Sequence, residues 1–235
     1  MSDLIYGRHP VLEALRAGED VQRLLVAKGT QTGGPVADIL AAARARGIRV
    51  DWVDRRELDR LGSVHQGIAA ELRPFRYTDV DDILTRAQAQ GEPPLILALD
   101  AVQDIHNLGS LVRTADAVGA HGVILPERRA AGVTPAVRKA SAGAVAHLPI
   151  AQVTNLTRAL DSLKEQGVWV VGLDMAGQQS FDTYDWRGPT ALVVGSEGKG
   201  LGRLVGETCD VLVNLPMRGH VDSLNAAVAG SIVLY

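Results

Sequence analysis

The chain has 235 residues, of which 46% are hydrophobic and 22% charged, and its formal net charge is −3. That is an ordinary globular composition, with material for one large or two modest cores. The single cysteine, Cys209, excludes a disulfide framework and a cysteine-based zinc site, and suits a reducing cytoplasm. The start MSDLIYGRHP lacks a long apolar segment behind a basic one, and no run of about 18 apolar residues follows, so neither a secretory leader nor a membrane span is expected. The slight acidity argues against indiscriminate nucleic-acid binding but leaves room for a local basic face.

In chain order, Pro10–Ala17 reads as a short helix ending at Gly18, and Leu24–Ala27 as a strand. Val36–Arg46 has helical rhythm and is closed by Gly47, in the position after a helix that favours glycine. Ile48–Val53 is a strand, Arg55–Leu61 a short helix and Gly67–Leu72 another strand. Residues 1–72 thus form a small α/β unit whose acidic and basic residues balance, and RPFRYT at 73–78 is the expected linker to a second domain at 79–235.

The second domain alternates more cleanly. Asp79–Gln90 is a helix ended by Gly91, and Pro93-Pro94 block its continuation. Leu95–Leu99, Gly122–Leu125, Val145–Ile150, Val168–Leu173, Ala191–Val194 and Val211–Leu215 are apolar runs of strand length, and Leu156–Gln166 is a helix after the cap candidates Thr154 and Asn155. Continuously apolar strands that alternate with helices imply a parallel sheet covered on both faces. Ligands in such sheets bind beyond the carboxyl ends of the strands, which directs attention to the residues just after each strand.

After Leu99, Asn107 can cap a helix with the stripe Leu108, Leu111, Val112, Ala115 and Val118. Arg113 falls off that stripe: either a surface arginine paired with Asp116, worth about 0.2–0.5 kcal/mol, or a fixed cation at the ligand edge suited to phosphate. His106 belongs to no metal-ligand spacing. The loop at 127–139 is the most basic stretch, with Arg128, Arg129, Arg138 and Lys139, and fits either a solvated cluster or contacts to a nucleic-acid backbone; Thr134-Pro135 caps a helix there. VVGSEGKGLG at 193–202 is a glycine-rich turn after a buried strand. It matches neither a P-loop nor GxGxxG, so it is a cradle without a phosphate fingerprint. Glu197 would repel a phosphate and suits a hydroxyl-bearing or cationic ligand.

The last stretch, DVLVNLPMRGHVDSLNAAVAGSIVLY, is a strand stopped by Pro216, a loop, and an apolar helix at Leu224–Tyr235 with Asp222 or Ser223 as its cap. Asn225 is an amide in apolar surroundings, and leaving it unpaired costs about 1–3 kcal/mol. Taken alone, Ser223 and Asn225 read as caps of a core helix.

Three motifs, N-L-G-x-x-x-R at 107–113, G-S-E-G-x-G at 195–200 and L-P-M-x-G-x-x-x-S-L-N at 215–225, occur in the order and spacing that resemble the SpoU/TrmH branch of the SPOUT methyltransferases. IYGRHPVLEAL and VHQGIAAEL are similar to the substrate-recognition domain of bacterial 23S rRNA guanosine-2′-O-methyltransferases. The resemblance implies methyl transfer from S-adenosylmethionine to a ribose 2′-hydroxyl of RNA, most simply a guanosine of 23S rRNA. It also implies a C-terminal trefoil knot, one of the rare departures from unknotted chains, and a homodimer formed through the knot helices. Family members usually continue past the position of Tyr235, so a longer final helix is expected. The cofactor is expected at Leu173, Gly195, Leu215, Met217, Ser223 and Leu224, and RNA at Arg128, Arg129, Arg138 and Lys139. Asn107, Arg113, Glu197 and Asn225 are the expected catalytic residues, with no metal. Guanidinium stays protonated in proteins, so Arg113 is expected to stabilise a developing alkoxide rather than act as a base. The rival readings are the same reaction on tRNA, a base-methylating relative, a silent RNA-binding member of the family, and a dinucleotide-binding dehydrogenase.

Overall fold

In a computed structural model the chain folds as two compact units, Met1–Phe75 and Arg76–Tyr235. The structure describes residues 3–62 and 64–235, without the side chain of Asp3; Met1, Ser2 and Ser63, which fall in the expected first domain, lie outside the described residues.

The first unit runs β1 (Asp3–Tyr6), α1 (Arg8–Arg16), β2 (Val21–Ala27), α2 (Pro35–Ala45), β3 (Arg49–Val53), α3 (Arg55–Leu61) and β4 (Ile68–Leu72). Its sheet has the order β1-β4-β2-β3, with β2 and β3 parallel and β4 antiparallel to β1 and β2. Side chains alternate across a strand, and β2 uses both faces. Leu24 and Val26 pack with Val11, Leu15, Ile39 and Ala43 under α1 and α2. Leu25 and Ala27 pack with Leu58 of α3 and with Ala69. One mixed sheet thus supports two small cores.

The second unit runs α4 (Val80–Gln90), β5 (Leu95–Leu99), α5 (Ile105–Ala117), β6 (Gly122–Pro126), α6 (Pro135–Ala140), β7 (Ile150–Val153), α7 (Leu156–Glu165), β8 (Trp169–Leu173), β9 (Gln179–Ser180), β10 (Thr190–Val194), α8 (Arg203–Thr208), β11 (Val211–Asn214) and α9 (Ala226–Leu234). The seven strands are all parallel, in the order β7-β6-β5-β10-β8-β11-β9. Every residue of β10 is buried, as the centre of a sheet covered on both faces requires. Ile96, Ala98, Val170, Ala191 and Val193 face Ile83 of α4, Leu160 and Leu163 of α7, and Val205 of α8. On the opposite face Gly230 of α9 presses against Leu111 of α5 and Val194; a Cβ there would lie 2.7 Å from the Leu111 side chain. This close approach sets α9 beside the carboxyl end of the sheet. Among the described residues no helix is long and apolar enough to cross a membrane.

Several local expectations are corrected. The run read as a strand at Val145–Ile150 is a 3₁₀ turn at Ala144–Ala146, and the strand begins only at Ile150; Pro149 cannot donate to a ladder. Asn107 does not cap α5. Asp104 does, accepting from the backbone N–H groups of His106 (2.9 Å) and Asn107 (2.8 Å). Neither Asp222 nor Ser223 caps the last helix, because Asn225 itself is the N-cap and accepts from Ala227 N at 3.0 Å. That helix is not buried all round: Val228, Ile232 and Tyr235 are 48%, 42% and 91% exposed. Short elements at β1, β9 and α8 had no expectation at all.

Candidate active site

The chain turns tightly where β10 ends. Ser196 and Gly200 exchange backbone hydrogen bonds, Ser196 N to Gly200 O at 3.1 Å and Gly200 N to Ser196 O at 3.0 Å, closing a loop that carries Glu197. Gly195 lies so close beneath it that a Cβ would fall 2.6 Å from Leu201 N and closer still to the Gly200 carbonyl. Gly200 has φ +63°, a left-handed conformation that glycine adopts without strain. Two carboxylates hold the far end of the turn. Asp174, just after β8, accepts from Leu201 N at 3.3 Å, and Asp100, just after β5, accepts from Gly202 N at 2.6 Å. Hydrogen bonds from backbone N–H to an ionised carboxylate are among the stronger kinds in proteins.

Glu197 then meets two amides brought from far along the chain. Asn107 on the first turn of α5 donates through Nδ2 to Glu197 Oε2 at 3.1 Å. Asn225 donates through Nδ2 to the same Oε2 and to Asn107 Oδ1, both at 2.9 Å. Its own Oδ1 caps α9. Because Asp104 caps α5, the Asn107 side chain is free for this network. Glu197 Oε1 has no hydrogen-bond partner among the described residues.

Beside the network a cleft of ≈ 250 Å³ opens at the carboxyl ends of β8, β10 and β11. Leu173, Gly195, Leu215, Met217, Ser223 and Leu224 all line it, as do Asp174, Met175, Ala226 and Ala229. Its walls are thus mostly apolar or bare backbone, with the carboxylates of Asp174 and Glu197 and one cation, Lys199. An adenosine needs an apolar slot with exposed backbone groups, and a sulfonium favours nearby negative charge; the residues present fit S-adenosylmethionine.

Arg113 is elsewhere. It lines a shallow groove between α5 and α9 together with His106, Ser110, Val228 and Tyr235. It is exposed and makes no ion pair among the described residues, so of the two readings of this arginine the pairing with Asp116 is not formed. Asn107 and Asn225 border this groove while Glu197 borders the cleft, so the amide network lies between the two. Thr114 and Ser231 tie the groove floor through their hydroxyls at 2.9 Å. Arg128 and Arg129 lie exposed on the β6–α6 loop, and Arg138 and Lys139 lie on α6, which Thr134 caps. They are not part of the cleft. Among the described residues no group of three His, Cys, Asp or Glu side chains is arranged to hold a metal.

Sequence reasoning passed over Asp100 and Asp174. Both were available as the first residue after an apolar strand, where a parallel sheet presents its ligands. Cys209 takes no part in the cleft. Its Sγ lies against Gly172 and bonds to the Val205 carbonyl, and burial pushes the thiol pKa up to about 12.

Comparison with known proteins agrees with this geometry. Residues 94–235 match the SpoU rRNA Methylase family, and residues 4–78 match the domain described as RNA 2′-O ribose methyltransferase substrate binding. A Bacillus subtilis protein assigned to the TrmH family of tRNA/rRNA methyltransferases is 45% identical over 234 residues, covering 99% of this chain and 94% of that one. Among solved structures, the SpoU methyltransferase AviRb of Streptomyces viridochromogenes in complex with AdoMet has 28% identity and a TM-score of 0.67, covering 99% of this chain and 87% of its own. An AdoMet-bound rRNA methyltransferase of Sinorhizobium meliloti gives 29% and 0.67, covering 99% and 85%. The chain therefore belongs to the SpoU/TrmH family of RNA methyltransferases, and its methyl donor is S-adenosylmethionine.

Proposed function

We propose that the chain methylates a ribose 2′-hydroxyl of RNA, at a guanosine of 23S rRNA, in the cytoplasm. The observation that carries this is the Asn107–Glu197–Asn225 network, which joins an apolar cleft for the donor to a groove bearing an unpaired arginine. The bound donor supplies an electrophilic methyl group on a sulfonium, and the chain's residues must position a poorly acidic hydroxyl against it. Met217, Leu224 and the Gly195 backbone hold the donor and exclude water. Asn107 and Asn225 fix Glu197 so that its free Oε1 can accept from the hydroxyl. Arg113 binds the neighbouring phosphate through its guanidinium and stabilises charge developing on the oxygen. Arg128, Arg129, Arg138 and Lys139 contact the RNA backbone.

Two further features belong to the same reading. The C-terminal segment threads a trefoil knot as it passes from β11 to α9. A second copy covers the α5–α9 groove, where Val228, Ile232 and Tyr235 stand exposed. Since Arg113 lines that groove and not the cleft, docking there places the arginine of one copy next to the network of the other.

The test is transfer of labelled methyl from S-adenosylmethionine to unmodified large-subunit rRNA, with bulk tRNA and Arg113→Ala alongside. Label in one alkali-resistant linkage of the rRNA, falling by about 100-fold or more in the variant, supports the reading. Label on tRNA alone moves the target to tRNA, and alkali-labile label on a base rejects ribose chemistry.

A further inference from the structure

The first unit carries a cleft that the reaction described above does not use. It has a volume of ≈ 380 Å³ and is lined by Arg8, His9, Pro35, Arg55 and Gln66, all from the first unit. Among the described residues no carboxylate lines it. Most other cations of the unit are spent on partners: Arg23 pairs with Glu71 and Asp51, Arg49 with Asp51, Lys28 with Asp54, and Arg73 with Asp20. Arg46 donates to the carbonyls of Leu15, Gly18 and Glu19. Arg8 and Arg55 have no ion pair among the described residues. Two guanidinium groups and an imidazole left without counter-charge around one cavity are the donor set for a tetrahedral oxyanion.

The cleft is also fixed in shape. Arg8 donates from its backbone N to Gln66 Oε1 at 3.2 Å and from Nε to Gln66 O at 3.4 Å. Gln66 is held at φ +50°, a left-handed value uncommon outside glycine. Its Oε1 is occupied, while its Nε2 has no partner among the described residues and remains a donor. The first residues of α1 and α2, Arg8 and Pro35, both border the cavity, and neither helix has a side-chain cap. Their free N-terminal dipoles add to the positive potential.

We propose that this cleft binds a phosphodiester of the RNA substrate, away from the methylated nucleotide. The proposal rests on the RNA-methylation reading and deepens it by giving the first unit a defined anchoring point. Phosphate contacts set register and affinity without reading sequence, so the cleft governs how tightly the RNA docks rather than how fast the docked RNA reacts.

The experiment measures binding of unmodified large-subunit rRNA to the full chain over a series of KCl concentrations. The variants are Arg55→Gln, Arg8→Gln and the double variant. Each neutralised contact should reduce the slope of log affinity against log salt by about 0.7, the value for a single-stranded phosphate. The KM for RNA should rise several-fold, with kcat and S-adenosylmethionine affinity unchanged. Arg55 is exposed and its side chain makes no hydrogen bond among the described residues, so Arg55→Gln and Arg55→Glu carry the test if loss of the Arg8–Gln66 bonds impairs folding. A folded double variant with unchanged slope and KM overturns the proposal. So does stabilisation of the wild type by inorganic phosphate that the variants lose while their RNA binding is intact, which would reassign the cleft to a free anion. A wild type that binds RNA with the expected slope loss in the variants, yet methylates none, overturns the catalytic reading and leaves the cleft standing.

Discussion

The cleft proposed for the donor has two walls built on opposite principles. One is the turn at 195–202, closed by its own backbone bonds, packed against Gly195 and clamped by Asp100 and Asp174. The other is the segment Pro216–Leu224, in which all but Met217 are exposed and no residue forms a hydrogen bond among the described residues. Both contribute lining residues, Glu197 and Lys199 from the first, Met217, Ser223 and Leu224 from the second. The contrast teaches a division of labour. The rigid wall presents Glu197 at a fixed place before any ligand arrives, and the loose wall is free to close over the donor. Segments with few buried contacts and few hydrogen bonds are the ones that open at low free-energy cost.

The most severe way to break this contrast is Gly195→Ala. The added methyl has nowhere to go without opening the turn, and overpacking of this kind costs about 1–3 kcal/mol. The melting temperature should fall and calorimetric binding of S-adenosylmethionine should weaken by at least tenfold. Unchanged binding would mean that the turn is not the rigid wall.

Asn225→Ala should be milder. It removes the cap of α9, worth about 1 kcal/mol, together with both bonds to the Asn107–Glu197 pair. Asn225→Ser separates the two, because serine can cap the helix but cannot bridge to Glu197. Thermal melts should recover with serine, while methyl transfer should stay low in both variants.

Leu224→Ala sharpens the comparison from the other wall. It should change the stability of the ligand-free chain by no more than about 0.5 kcal/mol and weaken donor binding several-fold. Hydrogen exchange gives the direct picture. Amides at 217–224 should exchange rapidly without donor and slowly with it, whereas those of Gly200, Leu201 and Gly202 should be protected in both states.

The smallest expected effect is none. The Cys209 thiol, raised to about 12 by burial and then by the Asp210 charge, holds almost no thiolate at pH 8. Alkylation of the native chain should therefore be negligible, with or without donor, and become fast only on unfolding. Donor-dependent labelling would show that the sheet beneath the rigid wall also moves.

Much of this was legible in the sequence where local chemistry and tertiary context agree. Arg55–Leu61 and Leu95–Leu99 are the elements that their patterns predict, to the residue. The strands of the second unit announce a parallel sheet because burial on both faces leaves no polar alternation. Reading failed where two residues compete for one local task. Asp104 and Asn107 can both cap α5, and only the distant Glu197 explains why Asn107 is released. Asn225 reads both as an amide in apolar surroundings and, with Ser223, as a cap; the sequence does not show that α9 begins only at Ala226, which leaves Asn225 as the cap and Ser223 outside it. Val145–Ile150 is apolar enough for a strand, and Pro149 was the warning against it. The six residues expected around the donor line one cleft, whereas Arg113 opens on another surface, a separation that no linear spacing encodes. Asp100 and Asp174 went unremarked because a single carboxylate after a strand carries no motif.

The strand order has a consequence for how the protein is made. β5 is flanked on one side by β6, which follows closely in sequence, and on the other by β10, which begins at Thr190. The half-sheet β5-β6-β7 can therefore assemble early, from contacts nearby in the chain. Its exposed edge must then wait for β10, and β10 completes the central ladder together with β8 before β11 and α9 can settle. Pairings that close long loops are slow to form, and an unpaired parallel edge is prone to self-association while it waits. The cleft lined by residues of β8, β10, α9 and the segment after β11 therefore depends on strands made after β5, β6 and β7, and the half-finished sheet is the species with an open parallel edge.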